Sequence, residues 1–129
     1  MRFLWRLCVC TLLVAWVLQG APPNEAGISG TVADPSGAAI PDAYIVIHQD
    51  WDATAAALAP GERQKQEDVV LHSDQAGTYH VSLPAGFYDV FVAASNFAPT
   101  CRKLYAKSGK TEVFNPVLYV SPDVMPFLK

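Results

Sequence analysis

The stretch from Ser73 to Ala93 restricts the fold of this chain more than any other part of its sequence. Apolar and polar residues alternate there in two runs, and a period of two residues is typical of half-buried β-strands. Asp74 and Gly77 precede the first run, and Pro84-Ala85-Gly86 separates the two runs, as expected of turns. The stretch therefore predicts an antiparallel pair of strands within an all-β domain. The apolar positions are Tyr79, Val81 and Leu83, followed by Tyr88, Val90 and Val92.

Turn residues recur at intervals of about ten residues along the rest of the chain, and short strand-like segments lie between them. Pro35 and Gly37 are typical of a type I turn, and Ser108-Gly109-Lys110 is typical of a short hairpin turn. Pro116 has no N–H group, which predicts an edge position or a bulge in the last strand. We predict seven strands, near residues 27–32, 43–48, 68–72, 78–83, 88–92, 100–107 and 111–120.

Residues 49–67 interrupt the β-pattern and predict one long loop. Asp52 is a candidate N-cap for one or two helical turns that end at Pro60-Gly61. A loop of this length is often functional or disordered. Trp51 has two alternatives, an apolar anchor that packs on the sheet and an exposed platform that stacks on a ligand.

The first 21 residues have the three-part pattern of a secretory signal peptide. Arg2 and Arg6 precede an apolar run from Leu7 to Leu18, and small residues follow it. The run of about 12 residues is shorter than the roughly 20 that a membrane-spanning helix needs. We expect cleavage near Gly20 or Ala21, and a secreted protein or one of the periplasm or cell envelope. The alternative is an uncleaved N-terminal anchor, which would be the protein's one membrane contact.

Cleavage would leave an acidic chain with a single cysteine. Of the nine basic residues, the loss of Arg2 and Arg6 leaves seven, against twelve acidic residues. An acidic domain repels phosphate backbones, so we expect no nucleic-acid partner. Cys101 would be the remaining cysteine, and an intramolecular disulfide is then excluded. A core of about 100 residues must hold by burial alone.

Many positions between residue 27 and about residue 120 match a known pattern in both type and spacing. The chain resembles the carboxypeptidase regulatory-like domain, a transthyretin-like (prealbumin-like) family. The positions that carry the resemblance are Gly30, Val32, Asp34, Gly37, Ile40, Pro41 and Ala43, then Ser73, Asp74, Gly77, Tyr79, Val81, Leu83, Pro84, Gly86 and Tyr88.

The resemblance implies a seven-stranded antiparallel β-sandwich with one unusually long loop. We accordingly divide the chain into a signal peptide (1–21), a leader (22–26), the sandwich domain (27–120) and a C-terminal tail (121–129). Domains of this family are non-catalytic modules found beside peptidase domains, at the N-termini of outer-membrane receptors and in secreted proteins. Both the family and the signal segment indicate a bacterial protein.

The resemblance also implies which side chains point outward. Three aromatic residues on outward positions, Tyr44, Phe87 and Phe91, form a candidate binding surface together with Trp51. Such a surface can be covered by the 49–67 loop, bury against a protein partner, or stack on sugar rings. Val46 and His80 are also expected to point outward. The implied core positions are Ala43, Ile45, Ile47, Tyr79, Val81, Leu83, Tyr88, Val90 and Val92.

Little in the sequence indicates catalysis, a metal or a cofactor. The nearest match to a zinc-peptidase His-x-x-Glu pair begins at His72 and has Gln75 in the fourth position, and the Tyr-Arg-Gly-Ser-like tail of transthyretin-fold hydrolases is missing. We expect solvated histidines, turn-capping carboxylates at Asp34 and Asp74 rather than calcium ligands, and no cofactor. For Cys101 we expect a half-buried structural thiol, with an intermolecular disulfide as the alternative.

These features predict a non-catalytic secreted or envelope module for protein interaction or structural support. The alternative is a carbohydrate-binding module that uses the exposed aromatic residues on one sheet face. The expected partner is an envelope or extracellular protein, or a polysaccharide.

Overall fold

A computed structural model describes residues 24–121 and places seven strands in two sheets. The predicted signal peptide and all of the predicted tail beyond Ser121 lie outside the described residues. No helix in the described part of the chain is long and apolar enough to cross a membrane. In chain order the elements are β1 (Glu25–Thr31), β2 (Tyr44–Asp50), α1 (Trp51–Ala57), a 3₁₀ turn (Pro60–Glu62), β3 (Val69–His72), β4 (Thr78–Pro84), β5 (Gly86–Ala93), β6 (Thr100–Ala106) and β7 (Thr111–Val113).

The two sheets form the predicted β-sandwich. One sheet has the order β4-β1-β7 and the other has the order β3-β2-β5-β6. All strand pairs are antiparallel except that of β1 with β7, which is parallel. The predicted strand count is confirmed, but the three-stranded sheet is mixed because β7 enters beside β1 from the opposite sheet.

The prediction that the two central runs pair with each other is wrong. β4 pairs with β1, whereas β5 pairs with β2 and β6, so the chain changes sheets at Ala85. The corner is held by Ala85 N–H, which donates to Asn24 O at 2.6 Å, and by Tyr88 Oη, which donates to Pro84 O at 2.6 Å. Alternation identifies a strand and its faces, but it does not identify the strand's partner. β4 and β5 lie in different sheets and bury their apolar faces in the core between them, so they do not pair with each other.

The predicted hairpin at Ser108-Gly109-Lys110 is wrong for the same reason, since β6 and β7 belong to different sheets. The last strand also ends at Val113 rather than near residue 120. Beyond it the chain stays on the sandwich through Leu118, which is 1% exposed and donates its N–H to Ala33 O at 2.9 Å. Pro116 interrupts the ladder because it has no N–H to donate.

The first strand begins earlier than expected. β1 starts at Glu25, and Ala26 is only 3% exposed, so two residues expected in the leader belong to the sandwich. A single alanine carries too weak a periodic signal for its burial to be predicted from the sequence.

The core lies between the two sheets and contains the predicted inward residues. All nine are buried except Val81, which is half-buried and packs against the cluster. Alternation along each strand places these side chains on one face, where burial of apolar surface stabilises the fold. The buried cluster is Ala26, Ile28, Val32, Ile40, Ala43, Ile45, Ile47, Tyr79, Leu83, Tyr88, Val90, Val92, Ala94, Leu104, Ala106, Phe114 and Leu118.

Two Asp-x-x-Gly turns have the same hydrogen-bond pattern. In each, the Gly N–H donates to the Asp carbonyl oxygen, and the Asp carboxylate accepts N–H groups two and four residues further on. The hydroxyls of Ser36 and Thr78 donate to these carboxylates and lower the pKa of Asp34 and of Asp74. The predicted turn-capping role of both carboxylates is confirmed.

The 49–67 segment contains the predicted short helix. Asp50, not Asp52, is its N-cap, because the Asp50 carboxylate accepts the N–H of Ala53 at 3.0 Å. After the helix, the buried side chain of Gln49 in β2 holds the returning part of the segment. Its amide donates to Gln64 O and accepts from the N–H of Gln66, each at 2.9 Å.

We expect the domain to lose stability as the pH rises from about 10 to about 12. Burial raises the pKa of Tyr79 and that of Tyr88 to about 12, whereas a tyrosine in an unfolded chain titrates near 10. The unfolded chain thus loses its phenolic protons first. The stabilisation from the two neutral rings is complete below about pH 10 and is lost as the pH rises towards 12. Urea unfolding followed by circular dichroism at several pH values measures this loss of stability, and tyrosinate absorbance follows the ionisation of the tyrosines.

The control is the Tyr79→Phe/Tyr88→Phe variant, which has no phenol at either core position. Its unfolding free energy should depend less on pH in this range. An equal pH dependence in the variant and the native chain would show that the loss of stability does not come from these two phenols.

Candidate functional site

The four-stranded sheet has one face in the core and one face, here called the outer face, turned away from it. Buried and more exposed residues alternate along β2 and β5, so every second side chain lies on the outer face. The register of the sheet arranges these side chains in rows that cross neighbouring strands. These rows define what the outer face can bind.

One row is apolar from one edge of the sheet to the other. Val46 lies between Val70 of β3 and Phe91 of β5, and Phe91 lies beside Cys101 of β6. Phe91 is 48% exposed and Val70 is 53% exposed. We call these four residues the apolar row. Cys101 is also exposed and Val46 is half-buried, so the row is a largely exposed apolar patch across four strands, of the kind found at interaction sites.

The next row carries alternating polar groups, and we call it the charged row. It consists of Asp68, His48, Asp89 and Lys103, in order across the sheet. His48 Nδ1 lies 2.6 Å from Asp68 Oδ1, and Lys103 Nζ lies 3.2 Å from Asp89 Oδ1. Lys103 also donates to Asp50, and this contact raises the pKa of Lys103 and lowers that of Asp50.

Three of the four predicted binding residues lie on the outer face, but in different rows. Phe91 belongs to the apolar row. Phe87 stacks on Tyr105 at one end of the face, with ring centroids 4.5 Å apart and planes 10° apart. Tyr44 packs edge-on against His72 at the other end, with ring centroids 5.5 Å apart. Phe91 is therefore the aromatic side chain that the face leaves most exposed.

Trp51 is the first residue of α1 and is half-buried. The ammonium nitrogen of Lys65 lies 5.0 Å from the centroid of its ring. A cation in this position is attracted to the ring face and occupies space that a stacked ligand would need. This arrangement favours the anchor over the exposed platform.

The helix of the 49–67 segment packs at the end of the sandwich, on the core side of β5. Thr54 is fully buried, and its Oγ1 accepts the N–H of Phe87 at 2.9 Å. A Cβ at Gly86 would lie 2.8 Å from the Thr54 side chain, so glycine allows this close approach. The helix closes the end of the core and leaves Phe91 exposed.

The sequence analysis missed Val70 and Cys101 as members of the patch. A signal existed, because Cys101 and Lys103 share one face of β6, but only the register shows that Phe91 lies beside Cys101. Cys101 is exposed, so the expected half-buried thiol is wrong. Partial desolvation, and then the charge of Asp89, raise the pKa of the Cys101 thiol. A raised pKa disfavours the reactive thiolate.

Two of the three histidines in the described residues each lie beside one carboxylate. His48 pairs with Asp68, and His72 Nδ1 lies 3.2 Å from Asp42 Oδ1. His80 is exposed on the other sheet. Within residues 24–121, no group of three or more His, Cys, Asp or Glu side chains could hold a metal ion.

Two shallow depressions lie away from the outer face. One, of about 180 Å³, is lined by Gln64, Gln66 and Ser82 among others. The other, of about 330 Å³, is lined by His80, Lys110 and Thr111 among others. Neither lining contains the cysteine of the described chain, and neither combines a nucleophile with a positioned base.

Comparison with known proteins agrees with this architecture. The family model of the carboxypeptidase regulatory-like domain matches residues 27–119. No curated protein matches the sequence.

The solved structures that resemble this fold belong to proteins of different kinds. They include the Bacillus anthracis TIE protein (13% identity, TM-score 0.55, 75% of this chain and 17% of that one). The major pilin subunit BcpA of Bacillus cereus matches at 16% identity and TM-score 0.54, over 74% and 30% of the two chains. Catechol 1,2-dioxygenase from Pseudomonas arvilla C-1 matches at 11% identity and TM-score 0.59, over 81% and 56%.

This chain spans less than two thirds of each of these proteins, and at such identities the likeness concerns the fold alone. The family model, in contrast, covers most of the chain, including both Asp-x-x-Gly turns. The chain belongs to the carboxypeptidase regulatory-like domain family.

Proposed function

We propose that this chain is a non-catalytic interaction module of the cell envelope or extracellular space, and that it binds another protein through the outer face. The observation that carries the proposal is the apolar row, which crosses all four strands, is exposed at Val70, Phe91 and Cys101 and is half-buried at Val46. The signal-like segment 1–21 supports the location. The use of this fold in a major pilin subunit supports a role in assembly.

The chemistry of the described residues supports a module without catalysis. The Cys101 thiol has a raised pKa, and the Asp34 and Asp74 carboxylates are engaged in their own turns. The dioxygenases of similar fold are longer chains, and the likeness to them carries no catalytic residue to this chain.

We expect Phe91→Lys to weaken partner binding and to leave the domain folded. Phe91 is half exposed, so its replacement should change the unfolding free energy by no more than about 1 kcal/mol. A charge in the centre of an apolar contact should weaken binding at least tenfold, which is about 1.4 kcal/mol. Urea unfolding gives the first quantity, and titration with the identified partner gives the second.

Photo-cross-linking tests the face before any partner is known. A photoreactive amino acid at Val46, Val70 or Phe91 of the full chain should form protein adducts in the producing cell. The same group at His80 or Val113, which are exposed on the other sheet, is the matched control. Adducts from the control positions alone, or from none of the five, would contradict the proposal.

Carbohydrate binding is a second candidate, supported by the exposed ring of Phe91 and by the Phe87–Tyr105 stack on the same face. Aromatic rings on a sheet can stack on sugar rings. The test is a panel of polysaccharides probed with residues 22–129 and with the Phe87→Ala/Phe91→Ala variant. Binding that only the native domain shows would establish this function. A folded domain that binds none of them would leave the protein partner as the proposal.

A further inference from the structure

The charged row has a symmetry that identifies a fitting partner. Its groups alternate across the sheet as carboxylate, imidazole, carboxylate and ammonium. Reversing this order gives ammonium, carboxylate, imidazole and carboxylate. A second copy laid against the first with its strand order reversed therefore places an ammonium or an imidazole opposite each carboxylate.

The apolar row also fits its own reversal. Val70 would face Cys101 of the second copy, and Val46 would face Phe91. In the row beyond, Tyr44 and Ala93 are neighbours across β2 and β5. Reversal places the large ring of one copy against the small side chain of the other. In three successive rows, the side chains of one copy thus match those of the facing copy in size and polarity.

One symmetry operation produces all of these contacts. It is a two-fold axis that lies in the interface, runs parallel to the strands and passes between β2 and β5. A two-fold axis across the strands would instead place the charged row against Tyr44 and Ala93. The strand-parallel axis also keeps the two sheets aligned, and sheets packed in this way lie about 10 Å apart.

We propose that the outer face binds a second copy of this chain, in a two-fold dimer that pairs Asp68 with the partner's Lys103 and Val46 with the partner's Phe91. The inference rests on the proposed function and names its partner. The apolar row supplies the attraction, and the charged row sets the register, because exposed ion pairs contribute specificity more than affinity.

The dimensions of the face predict a weak dimer. The outer face is four strands wide, at about 4.8 Å per strand, and seven residues long, at about 3.3 Å per residue. Its projected area is therefore roughly 400 Å². A stable complex buries roughly 800 Å² of accessible surface on each partner. We expect a dissociation constant in the micromolar range or above, so that dimers form at high local concentration.

A cysteine cross-link tests the register directly. In the proposed dimer Val70 faces Cys101 of the second copy across sheets about 10 Å apart, which is farther than the roughly 7 Å between Cα atoms that a disulfide allows. Val70→Cys treated with a short bismaleimide should therefore give a covalent dimer, whereas a link between β3 and β6 of one chain, which are about 14 Å apart, would leave a monomer. Val113→Cys, on the other sheet, is the matched control and should give no more covalent dimer than the native chain.

A charge exchange tests the pairing without a covalent bond. Asp68→Lys and Lys103→Glu should each weaken self-association at least tenfold, because like charges then meet across the interface. Mixed in equal amounts, the two variants should form a heterodimer in which both pairs have opposite charge. Glu112→Lys and Lys110→Glu make the same net charge changes at exposed positions away from the outer face and serve as controls. Sedimentation velocity measures association, and thermal unfolding confirms that each variant folds.

The outcomes separate this inference from the proposed function. A monomeric native chain at every concentration would overturn the dimer, while cross-links from Phe91 to other proteins would still support an interaction module. Ready cross-linking of native Cys101 to itself would overturn the register, since it requires the axis across the strands. If Lys103→Glu fails to fold beside Asp50 and Asp89, Phe91→Lys replaces it, and a dimer that persists in that variant would overturn the inference.

Discussion

Gly30→Ala should destabilise the domain by roughly 3 kcal/mol or more. A Cβ at this position of β1 would lie 1.7 Å from the carbonyl oxygen of Phe114 and 2.9 Å from the hydroxyl of Tyr79. That hydroxyl donates to Phe114 O at 2.5 Å, so the new methyl group would break the contact that holds the segment after β7 against β1. Overpacking and a lost buried hydrogen bond each cost about 1–3 kcal/mol.

The total stability of a domain of this size is about 5–15 kcal/mol, so the loss is a large part of it. Thermal unfolding should show a melting temperature lower by roughly 15 °C or more. Gly37→Ala is the matched control. Gly37 has a φ of 86° but no atom within 4 Å of an added Cβ, so only backbone strain of about 1 kcal/mol is expected. Equal losses from the two variants would show that Phe114 does not pack as described.

Tyr88→Ala should cost about 3–5 kcal/mol, because it removes the largest side chain that is fully buried in the described core. Tyr88 lies at the start of β5, beside the corner where the chain passes from one sheet to the other. Its hydroxyl donates to Pro84 O at 2.6 Å across that corner. Loss of the ring thus leaves a cavity and also releases the connection between the two sheets.

Tyr88→Phe separates the two contributions. It keeps the ring and removes the hydroxyl, so it should cost only about 1–2 kcal/mol. Urea unfolding of both variants, with unchanged denaturant slopes, measures the difference. If Tyr88→Phe were as destabilising as Tyr88→Ala, the hydrogen bond rather than the packing would hold the corner.

Local patterns in the sequence determined the strands and the two Asp-x-x-Gly turns. Period-two alternation indicated the apolar side of the strand that contains Val90 and Val92. Both faces of the strand that contains Ile45 are apolar, and there the family resemblance, not the alternation, predicted that Ile45 lies in the core. The turns are equally local, since Asp74 bonds groups within four residues of itself. The outward positions of Phe91 and Tyr44 were implied by the family resemblance, together with the parity of each strand.

Strand pairing was decided only by the tertiary structure. Neither the pairing of β4 with β1 nor the sheet change at Ala85 has a local signature, because pairing depends on which apolar faces meet across the core. The 49–67 segment is a similar case. Its helix packs on the core side because Gly86 leaves room for Thr54, and these residues are 32 positions apart.

The same distinction between local pattern and tertiary structure applies to the candidate site. Single residues such as Phe91 could be proposed from the sequence, because strand parity and the family resemblance together imply an outward position. The rows could not, because they consist of residues from four strands that only the register brings together: Val70, Val46, Phe91 and Cys101, and beside them Asp68, His48, Asp89 and Lys103. Alternation along a strand is a property of the chain, whereas order across a sheet is a property of the assembled fold.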